Sequence, residues 1–158
     1  MIYAGIGNRD IEKVIQNKCS AIAAELAMDG WLLRSGAAVG SDKAFMDGCD
    51  SVIGTKEIYT AKIDIPDWAF DLVWEFHPAP DRLSNHAERL MARNGMILFG
   101  ADGKTPVDLV ICYASSEFRG GTAYGLRLAK DRGIDYINLA KKDGWDRAKK
   151  LSPGFSRN

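Results

Sequence analysis

Three glycine-bearing segments have the composition of loops that bind phosphate. They are "GIGNRD" from position 5, "SGAAVGSDKAF" from position 35 and "FRGGTAYG" from position 118. Glycine lets the backbone approach an anion, and the free N–H groups at the start of a helix supply donors and positive potential. A tight turn between a strand and a helix also uses glycine, so one such loop alone leaves both interpretations open. Three of them favour a site for a nucleotide or another phosphorylated ligand.

Charged and aromatic residues flank these loops. Arg9 and Arg119 are placed to clamp a phosphate with two parallel hydrogen bonds, although a surface ion pair is an equally good interpretation of either arginine. Tyr113 and Phe118 bracket the third loop and are candidates to stack on a base or to form the rim of the site. The two histidines and three cysteines are too scattered for a metal motif, and we expect neither a metal nor a resident cofactor.

Strands that alternate with helices must position the loops. The apolar runs "IYAG", "WLLRSG", "KEIYTA", "VDLVICY" and "IDYINLA" predict five strands, and segments with helical spacing lie between them. This alternation predicts an α/β protein with one doubly wound, Rossmann-like and mainly parallel sheet, with helices on both faces. Asp10, either Ser41 or Asp42, and Ser84 are the predicted N-caps of three helices, and Gly30 is a predicted helix stop. All three glycine loops then emerge at the carboxyl edge of the sheet.

Composition limits the class of protein. The 158 residues fit a single domain over 1–158, with 46% hydrophobic and 27% charged residues. The formal net charge is +0, which argues against a protein that holds nucleic acid by bulk electrostatics but leaves a local basic patch open. No apolar run has the length of a membrane span, and we expect no membrane partner. The three isolated cysteines indicate free thiols, and we therefore expect a cytoplasmic protein.

Several segments, in order, carry a family resemblance. "YAGIGNRD", "LRSGAAVGSDKAFMDGC", "ARNGMI", "PVDLVICYA" and "GGTAYGLRLAKDRGIDYINLA" resemble the SLOG superfamily of Rossmann-like proteins, which includes DprA, the LOG phosphoribohydrolases and the YspA-like proteins. The likeness is strongest to small stand-alone DprA-like proteins of phages, which implies the cytoplasm of a bacterium or of a phage-infected host. Together with Arg119, the resemblance implies a ligand site formed by Gly5, Gly7, Asn8, Arg9, Ser35, Gly36, Gly40, Ser41, Asp42, Arg93, Asn94, Gly120, Gly121 and Thr122.

One departure from the family pattern bears on catalysis. LOG enzymes carry "PGGxGTxxE", in which the glutamate acts in cleaving an N-glycosidic bond, whereas "FRGGTAYGLRLA" holds no acidic residue before Asp131. Asp42 and Glu117 are the remaining candidates for a catalytic carboxylate. A helix cap is the alternative for Asp42 and also allows it to accept a ribose hydroxyl, and a solvated loop acid is the alternative for Glu117.

Three functions follow from these observations. The first is a protein that recognises or sequesters a nucleotide or nucleotide-derived signal without robust turnover, and it is the one we favour. The second is an N-glycosidase acting on nucleoside monophosphates, with Asp42 or Glu117 as the carboxylate. The third is a DprA-like single-stranded DNA binder. Relatives in the superfamily often dimerise, so we expect a homo-oligomer.

Overall fold

A five-stranded, all-parallel sheet forms the centre of the computed structural model, which describes residues 1–154. The strands are β1 (Ile2–Gly7), β2 (Leu32–Ser35), β3 (Lys56–Ile58), β4 (Leu109–Tyr113) and β5 (Asp135–Asn138). Their order across the sheet is β3-β2-β1-β4-β5, and every pairing is parallel. The order runs outward in both directions from β1, so the gap between the loops after β1 and β4 is where a doubly wound sheet binds ligands.

Helices connect the strands and cover the sheet on both faces. They are α1 (Lys13–Met28), α2 (Ser41–Ser51), α3 (Asp67–Phe76), α4 (Asn85–Phe99), α5 (Gly120–Asp131) and α6 (Gly144–Lys149), with a 3-10 turn at Pro80–Arg82. Buried side chains of α1, α2 and α6 form one core with the sheet, and those of α3, α4 and α5 form a second core on the opposite face. The α/β, Rossmann-like fold expected from the sequence is confirmed.

The starts of two helices differ from the prediction. Asp10 does not cap α1, which begins three residues later after Glu12. The N-cap of α2 is Gly40, so Ser41 and Asp42 are its first two helical residues. Gly40 has a φ of +86°, a conformation that glycine adopts without strain, and this backbone geometry decides where the helix begins. The predictions for Ser84 and Gly30 are confirmed. Ser84 caps α4 by accepting a hydrogen bond from the amide of Ala87 at 3.1 Å, and α1 ends just before Gly30.

Ile53 is a site of backbone strain remote in sequence from the glycine loops. It has a φ of +54° in the turn between α2 and β3, and its side chain is 94% exposed. This left-handed conformation destabilises a β-branched residue by about 1–2 kcal/mol, and the exposed side chain makes too few packing contacts to offset the strain. We expect Ile53→Gly to raise the free energy of unfolding by about 1 kcal/mol, measured by denaturant unfolding. Ile53→Val, which keeps the strain, is the control, and a stability of Ile53→Gly at or below that of the parent would contradict the explanation.

Candidate functional site

A cavity of about 310 Å³ lies at the carboxyl edge of the sheet, beside the ends of β1 and β4. Its walls come from the β1–α1 loop, the β2–α2 loop with the start of α2, the middle of α4, and the start of α5. The lining residues are Ile6, Gly7, Asn8, Arg9, Ala38, Asp42, Leu90, Arg93, Asn94, Arg119, Gly120, Gly121 and Thr122. Ten of the candidate site residues are thereby brought together around one space.

The start of α5 is open toward this cavity. Arg119 occupies the N-cap position and makes no side-chain capping hydrogen bond, and no acidic residue stands in the first turn. A Cβ placed on Gly120 would have no heavy atom within 4 Å, and one on Gly121 would meet only the Asn94 amide nitrogen at 3.4 Å. The first N–H groups of a helix have no partner within the helix and carry its positive potential. This end of α5 can therefore accept an anion.

Asn8 joins the three glycine loops to one another. Its backbone amide donates to the Tyr113 carbonyl at 2.8 Å, and its side-chain amide donates to the Ser115 hydroxyl at 2.7 Å. Its carbonyl oxygen accepts hydrogen bonds from the backbone amide and the hydroxyl of Ser41, at 3.0 and 2.8 Å. The loops after β1, β2 and β4 are thus fixed relative to one another at the floor of the cavity.

Arg93 and Asn94 connect α4 to two of these loops. The guanidinium of Arg93 is buried and donates to the carbonyl oxygens of Gly36 and Tyr59, at 3.0 and 3.2 Å, and to the Asn94 side chain. Asn94 in turn donates to the Gly121 carbonyl at 3.1 Å. Burial lowers the pKa of Arg93, partly offset by the nearby Asp42 carboxylate. Arg93 therefore shapes the wall and supplies positive potential more than it offers free donors.

Asp42 is a buried carboxyl group on the cavity wall. Its residue is 5% exposed, and one carboxylate oxygen accepts a hydrogen bond from the amide of Gly36 at 3.2 Å. Burial raises the pKa of Asp42 to about 6, while the Arg93 guanidinium and the hydrogen bond from Gly36 act in the opposite direction. A carboxyl group that titrates near neutral pH can accept a ligand hydroxyl or exchange a proton.

Five predicted site residues do not line the cavity but pack behind it. Gly5 lies within β1, where a Cβ would stand 2.7 Å from the Phe45 ring. The Ser35 hydroxyl donates to the Gly5 carbonyl at 2.6 Å. Gly36 accepts a hydrogen bond from Arg93 and donates one to Asp42. Ser41 donates to the Asn8 carbonyl oxygen. A Cβ on Gly40 would overlap the Arg9 carbonyl. These five residues therefore support the cavity wall from behind.

Glu117 does not line the cavity, and its side chain is only 12% exposed. Its carboxylate accepts hydrogen bonds from the Tyr136 hydroxyl at 2.6 Å and from the Asn138 side-chain amide at 3.1 Å, with the Lys141 ammonium at 3.5 Å. The alternative of a solvated loop acid is therefore wrong. The hydrogen bonds, foremost that of Tyr136, lower the pKa of Glu117.

Three lining residues were absent from the sequence prediction: Ile6, Ala38 and Leu90. Leu90 stands three residues before Arg93 on α4, so helical spacing from the "ARN" segment would have placed it on the same face. Phe118 is 86% exposed in the loop before α5.

Within residues 1–154 no cluster of three His, Cys, Asp or Glu side chains is arranged to hold a metal ion. No helix among the described residues has the length and apolarity to cross a membrane.

Comparison with known proteins gives similarity in fold alone. No family model matches the sequence, and no curated protein matches it. Among solved structures, DNA processing protein A from Helicobacter pylori, described for its single-stranded DNA binding mode, is 18% identical with a TM-score of 0.60; the match covers 96% of this chain and 72% of that one. DNA processing protein A (DprA) from Streptococcus pneumoniae is 19% identical with a TM-score of 0.60, over 95% of this chain and 54% of that one. The chain thus shares the Rossmann-like fold of these two DNA processing proteins.

Proposed function

We propose that the protein binds a nucleotide or nucleotide-derived ligand whose phosphate lies on the backbone amides of Gly121 and Thr122. The observation that carries the proposal is the uncapped start of α5, which opens onto a cavity of about 310 Å³. Arg9 and Arg119 are exposed at this cavity, and the buried Arg93 adds a third positive charge, against the one lining carboxylate of Asp42. Each charge-assisted hydrogen bond to a phosphate contributes about 1.5–3 kcal/mol.

The rest of the ligand extends from α5 toward the β1–α1 and β2–α2 loops. Asp42 and Asn8 line that side of the cavity, and a carboxylate is a suitable acceptor for a ribose hydroxyl. Phe118 offers an exposed aromatic face in the loop that precedes α5. A base that leaves the cavity next to the phosphate site can stack on this ring.

The proposed role is recognition or sequestration of the ligand, without robust turnover. The "GGT" segment lacks the glutamate of the LOG motif. Of the two remaining carboxylates, Glu117 is held by Tyr136 and Asn138 and does not line the cavity. Asp42 lines it, and its carboxylate accepts a backbone hydrogen bond from Gly36. A general acid or base must reach the reacting bond, and only Asp42 is placed to do so.

A ligand screen tests the proposal. Thermal shift with nucleoside phosphates, cyclic dinucleotides, ADP-ribose derivatives, inorganic phosphate and short single-stranded DNA should show a rise in melting temperature for one nucleotide class. Calorimetry then gives the affinity, and chromatography of the incubated nucleotide should show little or no free base. Absence of a shift with every phosphate-containing compound would reject the proposal.

Truncation of Phe118 tests the orientation of the ligand. We expect Phe118→Ala to weaken binding of the nucleotide found in the screen by about tenfold, because stacking of a base on an aromatic ring contributes about 1–3 kcal/mol. Binding of inorganic phosphate, which has no base, should stay unchanged. Trp74→Ala removes another exposed aromatic side chain, on α3, and serves as the control. Equal losses for nucleotide and phosphate would contradict stacking.

Single-stranded DNA is a second candidate ligand, favoured by the fold shared with the Helicobacter pylori protein. The exposed Phe118 and Arg119 beside the cavity suit an unpaired strand, whereas the net charge of +0 supplies no general attraction for nucleic acid. Fluorescence anisotropy with labelled oligonucleotides separates the candidates. An affinity that grows with strand length and falls steeply with salt indicates DNA, and an affinity saturated by one nucleotide indicates the small ligand.

N-glycosidase activity is favoured by one observation, the Asp42 carboxyl group with a pKa of about 6 on the cavity wall. Rapid base release from a nucleoside monophosphate that disappears in Asp42→Asn would establish it and replace the binding role.

We further propose that the chain is an SLOG-superfamily protein of the stand-alone DprA-like type that acts in the cytoplasm as a homo-oligomer. Light scattering after size exclusion tests the oligomeric state.

A further inference from the structure

We infer that Glu117 is a positioning residue that, together with Tyr136 and Asn138, holds the loop before α5 in the shape that presents the Gly121 and Thr122 amides to a phosphate. The inference rests on the proposed function and assigns a role to a carboxylate that the sequence suggested as a catalyst. We call Glu117, Tyr136 and Asn138 the loop anchor. Glu117 belongs to the loop, and its two partners belong to β5, the edge strand next to β4.

The loop anchor connects elements that are far apart in the chain. Tyr136 stands 19 residues and Asn138 21 residues after Glu117, and each donates to a different carboxylate oxygen, at 2.6 and 3.1 Å. A carboxylate that accepts one hydrogen bond on each oxygen is fixed in both direction and rotation. Hydrogen bonds to an ionised acceptor are about twice as strong as those between neutral groups.

Asn138 ties the same carboxylate to the end of β4. Its side chain is buried, and its oxygen accepts from the amides of Ala114 and Ala140, both at 3.0 Å. Its nitrogen donates to the Ala114 carbonyl at 2.9 Å in addition to Glu117. The Asn138 amide thus makes four hydrogen bonds, which leaves its orientation no freedom and makes it a rigid support for Glu117.

The segment that follows Glu117 depends on this support. Phe118 is 86% exposed, Arg119 and Gly120 are also exposed, and Gly120 has a φ of +90° with no heavy atom within 4 Å of an added Cβ. Beyond this segment, the Asn94 side chain holds the Gly121 carbonyl at 3.1 Å. The loop is therefore fixed at Glu117 on one side and at Gly121 on the other, with little packing between the two points.

The sign of one substitution separates positioning from simple electrostatics. Glu117→Gln removes a negative charge near an anion site, which by Coulomb attraction alone would tighten phosphate binding. A glutamine amide accepts on one side only, so it either faces the Asn138 nitrogen with a donor or turns its own nitrogen to the Tyr136 hydroxyl, whose proton then loses its acceptor. The bonds that remain also lose the charge of the carboxylate, which makes them weaker. If the anchor fixes the loop, Glu117→Gln binds inorganic phosphate about tenfold more weakly, because the order of the loop must then be acquired on binding.

The experiment measures inorganic phosphate affinity by calorimetry for Glu117→Gln, Tyr136→Phe and the double variant. The two substitutions disrupt the same loop anchor, so their effects should not add, and the double variant should lose less affinity than the sum of the two single losses. Asp135→Asn is the control, because it removes an exposed carboxylate from the same strand without touching the loop. Unchanged or tighter phosphate binding in Glu117→Gln and Tyr136→Phe would overturn the inference.

Hydrogen exchange keeps this test separate from that of the proposed function. In the free protein, amides 124 and 125, which form the first hydrogen bonds of α5 with the carbonyls of Gly120 and Gly121, should exchange about tenfold faster in both single variants, while amides of β1 and β4 keep their protection. Tyr136→Phe deletes only a hydroxyl, so it guards against a general loss of folding in Glu117→Gln. Parent protein that binds neither inorganic phosphate nor any nucleotide rejects the proposed function, and unaltered exchange of amides 124 and 125 rejects the loop anchor independently.

Discussion

Replacing Gly121 by aspartate is expected to abolish binding of inorganic phosphate and of nucleoside monophosphates while the fold stays intact. A side chain fits at this position, because an added Cβ would meet only the Asn94 amide nitrogen at 3.4 Å. The new carboxylate would occupy the place of the anion in front of the α5 amides. We expect the affinity to fall by more than about 100-fold, since two like charges in a shielded cavity repel strongly.

Gly121→Asn is the matched control, since it has nearly the same shape without the charge. It should lose far less affinity than Gly121→Asp, so the difference between the two isolates the electrostatic effect. Gly121→Asp should also keep or slightly raise the melting temperature, because an acidic residue in the first turn of a helix is stabilised by the helix dipole. Phosphate binding that survives in Gly121→Asp would place the ligand elsewhere.

The fold and the edge that holds the cavity could be predicted because they depend on local patterns. Apolar runs of strand length alternate with helical segments, and parallel strands bring the glycine loops of positions 5, 35 and 118 to one edge. Ser84 and Gly30 were read correctly as helix limits because each acts within its own turn. Apolar runs and helix limits can be recognised from a few neighbouring residues, so a single sequence is enough to predict them.

The parts that could not be predicted depend on contacts between distant segments. Helix α2 begins after Gly40, whose φ is +86°, and not at a capping side chain. Ser41 and Asp42 instead bond to Asn8 and Gly36, residues that lie outside the helix. The role of Glu117 is set by partners on β5 that no spacing rule connects to it. The raised pKa of Asp42 could not be predicted either, because the burial that causes it depends on several segments that are distant in the chain.

Lowering the pH through about 6 is expected to tighten the binding of sulfate at the cavity by about tenfold. The Asp42 carboxyl group, with its pKa raised to about 6 by burial, loses its negative charge as it takes up a proton, and less repulsion then opposes the anion. Sulfate keeps its charge across this range, unlike a phosphate ester. Asp42→Asn should bind sulfate with an affinity that is nearly constant between about pH 5 and 7, one unit either side of the pKa of about 6.

The same group makes stability depend on pH in a defined direction. The folded pKa lies above the ordinary value of 3.8, so between about pH 4 and 6 the folded chain holds a proton that the unfolded chain has released. The free energy of unfolding must therefore fall as the pH rises through this window, by about 3 kcal/mol for a shift of this size. Denaturant unfolding of the parent and of Asp42→Asn at pH 4.5 and 7.5, on either side of about 6, should show about 2 kcal/mol of this fall, because a carboxyl with the ordinary value of 3.8 is already mostly ionised at pH 4.5 in the unfolded chain. Relative to Asp42→Asn, the parent should lose stability between the two pH values, and equal pH profiles would show that Asp42 is ionised throughout.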